Sequence, residues 1–200
     1  MRVLISGFMP FGGRELNPTD RLIRALQHNE VPYPANLLVD HILLPVTFRE
    51  SFLSLQEKIT QMNPDVVICL GQAAGRAEIN LESVAVNCIH ADIPDNEGLK
   101  PENEMINHLG MPSYLSTLPL QGIEGALKDA GIPVKVSQCA GKYVCNYLFY
   151  RLMETNQDTL RLCGFIHVPI LPEQVRNDEP SMELDEMKRA LSVILQYINY

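Results

Sequence analysis

Three residues that together can cleave an amide by acyl transfer stand apart along this chain: Glu82, Cys145 and His167. Cys145 closes the stretch Ser137-Gln138-Cys139-Ala140-Gly141-Lys142-Tyr143-Val144-Cys145, where an apolar run passes through small residues into an amphipathic segment. That spacing predicts a thiol at a helix N-terminus. Unsatisfied N–H groups there favour an anion, so a lowered thiol pKa and amides able to hold an oxyanion are expected. His167 is the last polar residue of an apolar run that Pro169 helps to terminate. An imidazole so placed can take the thiol's proton and return it to a leaving amine. Glu82 stands at the entrance to another apolar run, where a carboxylate can accept the imidazole N–H and fix its tautomer. Each residue also has a plainer reading: a small core cysteine, a structural strand-end histidine, a solvated glutamate.

A fourth segment, Gly7-Phe8-Met9-Pro10-Phe11-Gly12-Gly13, follows the first apolar run, where a nucleotide-binding protein carries its glycine loop. It lacks the Gly-x-Gly-x-x-Gly spacing. Phe8 and Phe11 offer apolar walls suited to a flat, uncharged ligand, or else they plug the end of a sheet.

The elements that must position these residues follow from periodicity. Strands are expected at Val3 to Ser6, Leu37 to Leu44, Asp65 to Leu70, Val84 to Ile89, Val134 to Ser137 and Leu162 to Val168. Helices are expected from Pro18 to Gln27, from Phe48 toward Asn63-Pro64, and then over Gln121 to Ala130, Tyr143 to Glu154 and Met182 to Tyr197. Asn17-Pro18 supplies a cap and a first helical residue, and the β-branched run at Val66 to Ile68 reads as a strand covered on both faces. The alternation predicts a single α/β domain over residues 1–200, a three-layer α/β/α sandwich around a mostly parallel twisted sheet. Such sheets bind ligands at the carboxyl ends of their strands.

Composition narrows the function classes. The chain has 200 residues, a formal net charge of −8 and a sequence pI near 5.1, a poor match to nucleic acid or an anionic membrane surface. The N-terminal run is too short for a secretory signal, and no apolar stretch approaches membrane-spanning length. Its five cysteines form an odd set without Cys-x-x-Cys spacing, which predicts reduced thiols, no zinc site and a cytoplasmic address.

Taken in order, these segments resemble the pyroglutamyl-peptidase I (pyrrolidone-carboxylate peptidase) family of cysteine peptidases. Gly7-Phe8-Met9-Pro10-Phe11-Gly12-Gly13 with Asn17-Pro18 is similar to the family's opening, and Gly71 to Asn87 to its glutamate motif. Ile93 to Gly98 is similar to its following loop, Ser137 to Asn146 to its cysteine motif, and His167-Val168-Pro169 completes the set. The resemblance implies Cys145 as nucleophile, His167 as base, Glu82 as its orienting carboxylate, no cofactor and a homotetramer. It further implies a pyroglutamyl pocket lined by Phe8, Phe11, Thr47, Gln72 and Val144. The oxyanion would be held by the backbone N–H groups of Cys145 and Asp92. The chain departs from the family's usual pattern at Asn80, Ser83, Cys139 and Asp92, the last standing where Arg is usual.

Two other readings compete with hydrolysis of N-terminal pyroglutamyl peptides. A phosphorylase or nucleosidase could be built on the same kind of sheet. A pyroglutamate-binding protein with weakened turnover would keep the aromatic pocket alone.

Overall fold

The computed structural model describes residues 1–199. Asn17 caps the first helix by accepting the Thr19 N–H at 2.9 Å, and Pro18 supplies a first-turn residue that needs no donor. The first half of the chain is β1 (Arg2–Phe8), α1 (Pro18–Gln27), β2 (Leu38–Leu44), α2 (Phe48–Met62) and β3 (Val66–Gln72). Short strands β4 (Ile79–Glu82), β5 (Val84–Val86) and β6 (Ser113–Leu115) follow. The remainder is α3 (Leu120–Asp129), β7 (Val134–Ser137), α4 (Val144–Thr155), β8 (Leu162–Val168) and α5 (Leu184–Tyr197).

Six strands form one sheet in the order β2-β1-β3-β8-β4-β7. Alternate residues of its strands face opposite layers, which divides the core in two. Val3, Ile5, Ile68, Leu70 and Ile166 pack against α1, α3 and α5. Leu4, Val67, Cys69, Cys163 and Phe165 pack against α2 and α4. The result is the expected α/β/α sandwich. All neighbouring strands run parallel except one pair: β4 lies antiparallel to β8, so β4 and β7 point the other way.

That reversal differs from the sequence reading at an informative place. Of the expected strand over Val84 to Ile89 only β5 (Val84–Val86) forms, paired with β6 in a separate ribbon, and the main-sheet strand β4 lies just ahead of it. Asn80 and Glu82 interrupt the apolar pattern of β4, although both are fully buried. The Glu82 side chain serves the site described below, and the Asn80 amide donates to the Glu78 carbonyl at 2.6 Å. No helix among the described residues is long and apolar enough to cross a membrane.

Two glycines let these layers approach closely. A Cβ on Gly7 would lie 2.8 Å from both Ile23 Cγ1 and the Thr19 carbonyl oxygen, so β1 can seat against α1 only without one. A Cβ on Gly71 would lie 2.7 Å from two carbons of the Phe165 ring and 2.9 Å from Cys145 Sγ. The bare backbone of β3 thus makes the floor on which the Cys145 sulfur rests.

Candidate active site

Sheet register brings the three chemistry-bearing residues to one face. Gly71 on β3 pairs with His167 on β8, and His167 pairs with Asn80 on β4. One pleat down, Cys69 pairs with Phe165, and Phe165 pairs with Glu82. Directly paired residues share a face, so His167, Phe165 and Glu82 project toward the layer that carries α4. Glu82 reaches diagonally across the antiparallel pair, and its Oε1 lies 2.7 Å from His167 Nδ1. Both side chains are buried, and the Phe165 ring packs against the imidazole with centroids 4.9 Å apart. With Nδ1 engaged, Nε2 is the ring nitrogen left for other work.

Cys145 enters from above. It is the second residue of α4, and its sulfur sits over Gly71, one strand from the imidazole. Buried Asn146 anchors this helix start: its Oδ1 accepts the Val86 N–H at 3.0 Å, and its Nδ2 donates to the Val86 and Cys88 carbonyls at 2.8 and 2.9 Å. The Tyr147 N–H donates to the Tyr143 carbonyl at 3.1 Å. Ahead of it, the amides of Val144, Cys145 and Asn146 meet no acceptor among the described residues, the usual state of a first helical turn.

A cavity of about 250 Å³ opens at this point, walled by Phe8, Phe11, Val46, Tyr143 and Val144 with Cys145 and His167. Tyr143 tilts toward Phe11 at 6.2 Å and packs edge-on against Phe48 at 5.5 Å; its hydroxyl donates to the Pro94 carbonyl at 3.1 Å. Gln72 adds a polar wall, and its Oε1 accepts from Gln174 Nε2 at 3.0 Å. The loop after β3 contributes Ala73, Ala74 and Arg76.

The electrostatics correct one expectation. Burial pushes the Cys145 thiol up to about 12, with the Glu82 carboxylate adding to the effect. Arg76 and the residue's own N–H pull the other way and do not overcome it. The helix N-terminus therefore does not by itself produce a resting thiolate, because desolvation exceeds the gain from a few amides. His167 is held below the usual histidine range, first by burial and then by Arg76, against the opposing pull of Glu82. Burial disfavours the Glu82 charge, yet the contacts of His167, Ser137 and Arg76 together outweigh it and lower the carboxyl. These directions favour a neutral thiol, a neutral imidazole and a carboxylate before substrate arrives.

The chain as a whole is matched by known proteins. The sequence profile of the family described as pyroglutamyl peptidase matches residues 1–199. The chain belongs to that family. It is 39% identical over 198 residues to the pyrrolidone-carboxylate peptidase of Bacillus thuringiensis (strain Al Hakam), covering 97% of this chain and 91% of the relative. The Bacillus cytotoxicus protein of the same name is 40% identical over 200 residues, with the same coverage. Among solved structures, Bacillus amyloliquefaciens pyroglutamyl peptidase I superposes with a TM-score of 0.93 at 37% identity, covering all of this chain and 97% of that one. A Pyrococcus furiosus pyrrolidone carboxyl peptidase variant gives 0.91 at 37% identity, covering 98% of this chain and 96% of that one.

The sequence-predicted residues divide into two groups. Phe8, Phe11, Gln72, Val144, Cys145 and His167 all line the cavity, and Glu82 lies behind His167. Thr47 and Asp92 are not among its walls. Thr47 follows the wall residue Val46 and is buried, and its hydroxyl has no partner among the described residues. It precedes α2 without capping it, because Asp95 from the loop expected at Ile93 to Gly98 accepts the Phe48 N–H at 3.0 Å instead. Asp95 also gathers the Glu97 and Leu99 N–H groups at 2.9 Å each, folding that loop toward the cavity. The Asp92 carboxylate is 96% exposed and 3.3 Å from His90 Nε2. Asn17, Tyr143, Gln174 and Arg76 complete the site unforeseen. Asn17, expected as a helix cap and as part of the opening motif, also holds the Met9 carbonyl with its Nδ2 at 3.1 Å and lines the cavity.

Proposed function

We propose that this chain removes N-terminal pyroglutamyl residues from peptides through a thioester on Cys145. The observation that carries the reading is the Glu82–His167 bond of 2.7 Å set beside a thiol at the head of α4, in a small apolar cavity. Phe8, Phe11, Val46, Tyr143 and Val144 suit a neutral lactam ring. Gln72 gives its carbonyl to Gln174, which leaves its amide N–H groups to donate to the lactam C=O. The unpaired Thr47 hydroxyl provides a further polar group next to the Val46 wall.

In the first step Sγ attacks the scissile carbonyl while His167 Nε2 takes the thiol proton. Transferring the proton during attack avoids the cost of a buried thiolate before substrate arrives. The imidazolium that forms is stabilised by Glu82, which also keeps the proton on Nδ1. The oxyanion is held by the N–H of Cys145 and by that of Asp92, neither of which meets a backbone acceptor among the described residues. Because the Asp92 side chain points to solvent, its charge is not aimed at the developing negative charge. His167 then protonates the leaving amine as the C–N bond breaks. Water, deprotonated by the same imidazole, hydrolyses the thioester and restores the thiol.

Five unpaired thiols suit a reducing compartment, and we place the enzyme in the cytoplasm; by family resemblance it works as a homotetramer. The phosphorylase reading is not favoured, since the cavity's one guanidinium, that of Arg76, is already committed to protein acceptors. Turnover of a pyroglutamyl fluorogenic amide tests the proposal. Cys145→Ala should fold normally and lose at least about 10⁴-fold in kcat; a variant that keeps turnover would sink it. Binding without turnover by the unaltered protein would favour the pyroglutamate-binding alternative.

A further inference from the structure

Among the described residues, Arg76 is the one cation that meets both the carboxylate behind His167 and the turn that leads to Cys145. Its Nη1 donates to Glu82 Oε1 at 2.6 Å, the same oxygen that receives His167 Nδ1 at 2.7 Å. Its Nη2 donates to the Cys139 carbonyl at 2.8 Å, on the turn between β7 and α4. That turn is further shaped by the Cys139 N–H donating to Ser137 Oγ at 3.3 Å. A single side chain from the β3–β4 loop therefore joins the general base's carboxylate to the segment carrying the thiol.

We propose that Arg76 is a positioning residue for this reaction, holding Glu82 and the Cys139 turn in register and limiting how readily His167 becomes protonated. The proposal rests on the roles given above to Cys145 and His167. Two physical effects follow from the fork. Glu82 is fully buried, and its Oε2 has no partner among the described residues, so without Arg76 its charge would be offset only by His167 and the neutral Ser137 hydroxyl. A buried carboxylate in that state draws a proton onto the nearest base. Arg76 also places a permanent positive charge near the imidazole, which opposes a second one there. The titratable groups around the imidazole and thiol are Glu82 on β4, Cys145 and Tyr143 at the start of α4, Cys69 on β3, and Arg76. Only Arg76 is a fixed cation. The two planar N–H donors also set the distance between Glu82 and the Cys139 carbonyl, which a lysine ammonium cannot do with the same geometry.

The test compares the unaltered enzyme with Arg76→Met and Arg76→Lys. Two readouts are taken: kcat and KM against pH on a pyroglutamyl fluorogenic amide, and the His167 imidazole titration by NMR. Arg76→Met should raise both the acid limb of kcat/KM and the imidazole pKa by about 1 unit or more, the size expected for losing a charge at this range. Its kcat at the optimum should fall about 10- to 100-fold, with KM within about twofold, as when positioning is lost but binding is kept. Arg76→Lys should leave the limb within about 0.3 unit, because the charge remains, yet lose about 10-fold in kcat because the fork is gone. An unmoved limb and titration in Arg76→Met would overturn the proposal. So would an Arg76→Lys enzyme with unchanged kcat, and that arm stands even if the methionine variant does not fold. The NMR titration needs no turnover, so it separates failure of this proposal from failure of the peptidase assignment.

Discussion

Two histidine–carboxylate pairs lie among the described residues, and only one of them faces a cavity that holds a thiol. In the first, Glu82 Oε1 and His167 Nδ1 meet at 2.7 Å with side chains 0% and 5% exposed. In the second, Asp92 Oδ1 and His90 Nε2 meet at 3.3 Å with side chains 96% and 36% exposed. The residue types are nearly the same. What differs is that the inner pair is dry, braced by Arg76, packed on Phe165 and open to a cavity shared with a thiol. Water screens the outer pair, and the expected coupling there is slight. Burial and a third partner, rather than the juxtaposition of an imidazole and a carboxylate, turn such a pair into a base with a fixed tautomer.

Paired substitutions sharpen the contrast most. His167→Gln should cost about 10³- to 10⁴-fold in kcat on a pyroglutamyl amide, the scale seen when a triad member is disabled. His90→Gln should leave kcat/KM within about threefold, as expected for an exposed pair. Comparable losses in both would break the distinction. Gly71→Ala comes next in size. Its added methyl cannot fit between the Phe165 ring and Cys145 Sγ, so the thiol or the ring must move. A displacement near 1 Å costs on the order of 10²-fold, with KM little changed. Steady-state kinetics with a melting curve checks this, and an alanine variant with unaltered kcat would show that the close approach is unimportant.

The same contrast explains what the sequence could and could not disclose. Where a strand keeps a regular apolar pattern its bounds are plain, even when, like β8, it carries a site residue. Val134–Ser137 and Leu162–Val168 are bounded as expected, and Pro18–Gln27 is set by its cap and proline. Where a strand turns two polar side chains inward, the pattern fails. β4 puts Asn80 and Glu82 inside the protein, which reads as the end of a solvated loop until His167 and Arg76 are seen to neutralise it. Its antiparallel course was hidden for the same reason, since direction within a sheet depends on partners far away in the chain. Cys145 and His167 were legible as an ordered set of motifs. The thiol's pKa direction was not, because the proximity of a helix start is visible in sequence whereas the depth of burial that opposes it is not. Arg76 carried no periodic or spacing signal, and its role exists only through the fold that brings Cys139 and Glu82 within its reach.

The central claim is that Cys145 carries the acyl group, and the most direct measurement looks for that bond. The enzyme is mixed with an activated pyroglutamyl ester, quenched in acid within the first turnover and mapped by peptide mass spectrometry. The account predicts a pyroglutamyl thioester on the peptide containing Cys145, absent from Cys145→Ala and from samples quenched after the substrate is exhausted. Turnover with no adduct at any quench time under burst conditions, or an adduct on another residue, would contradict it.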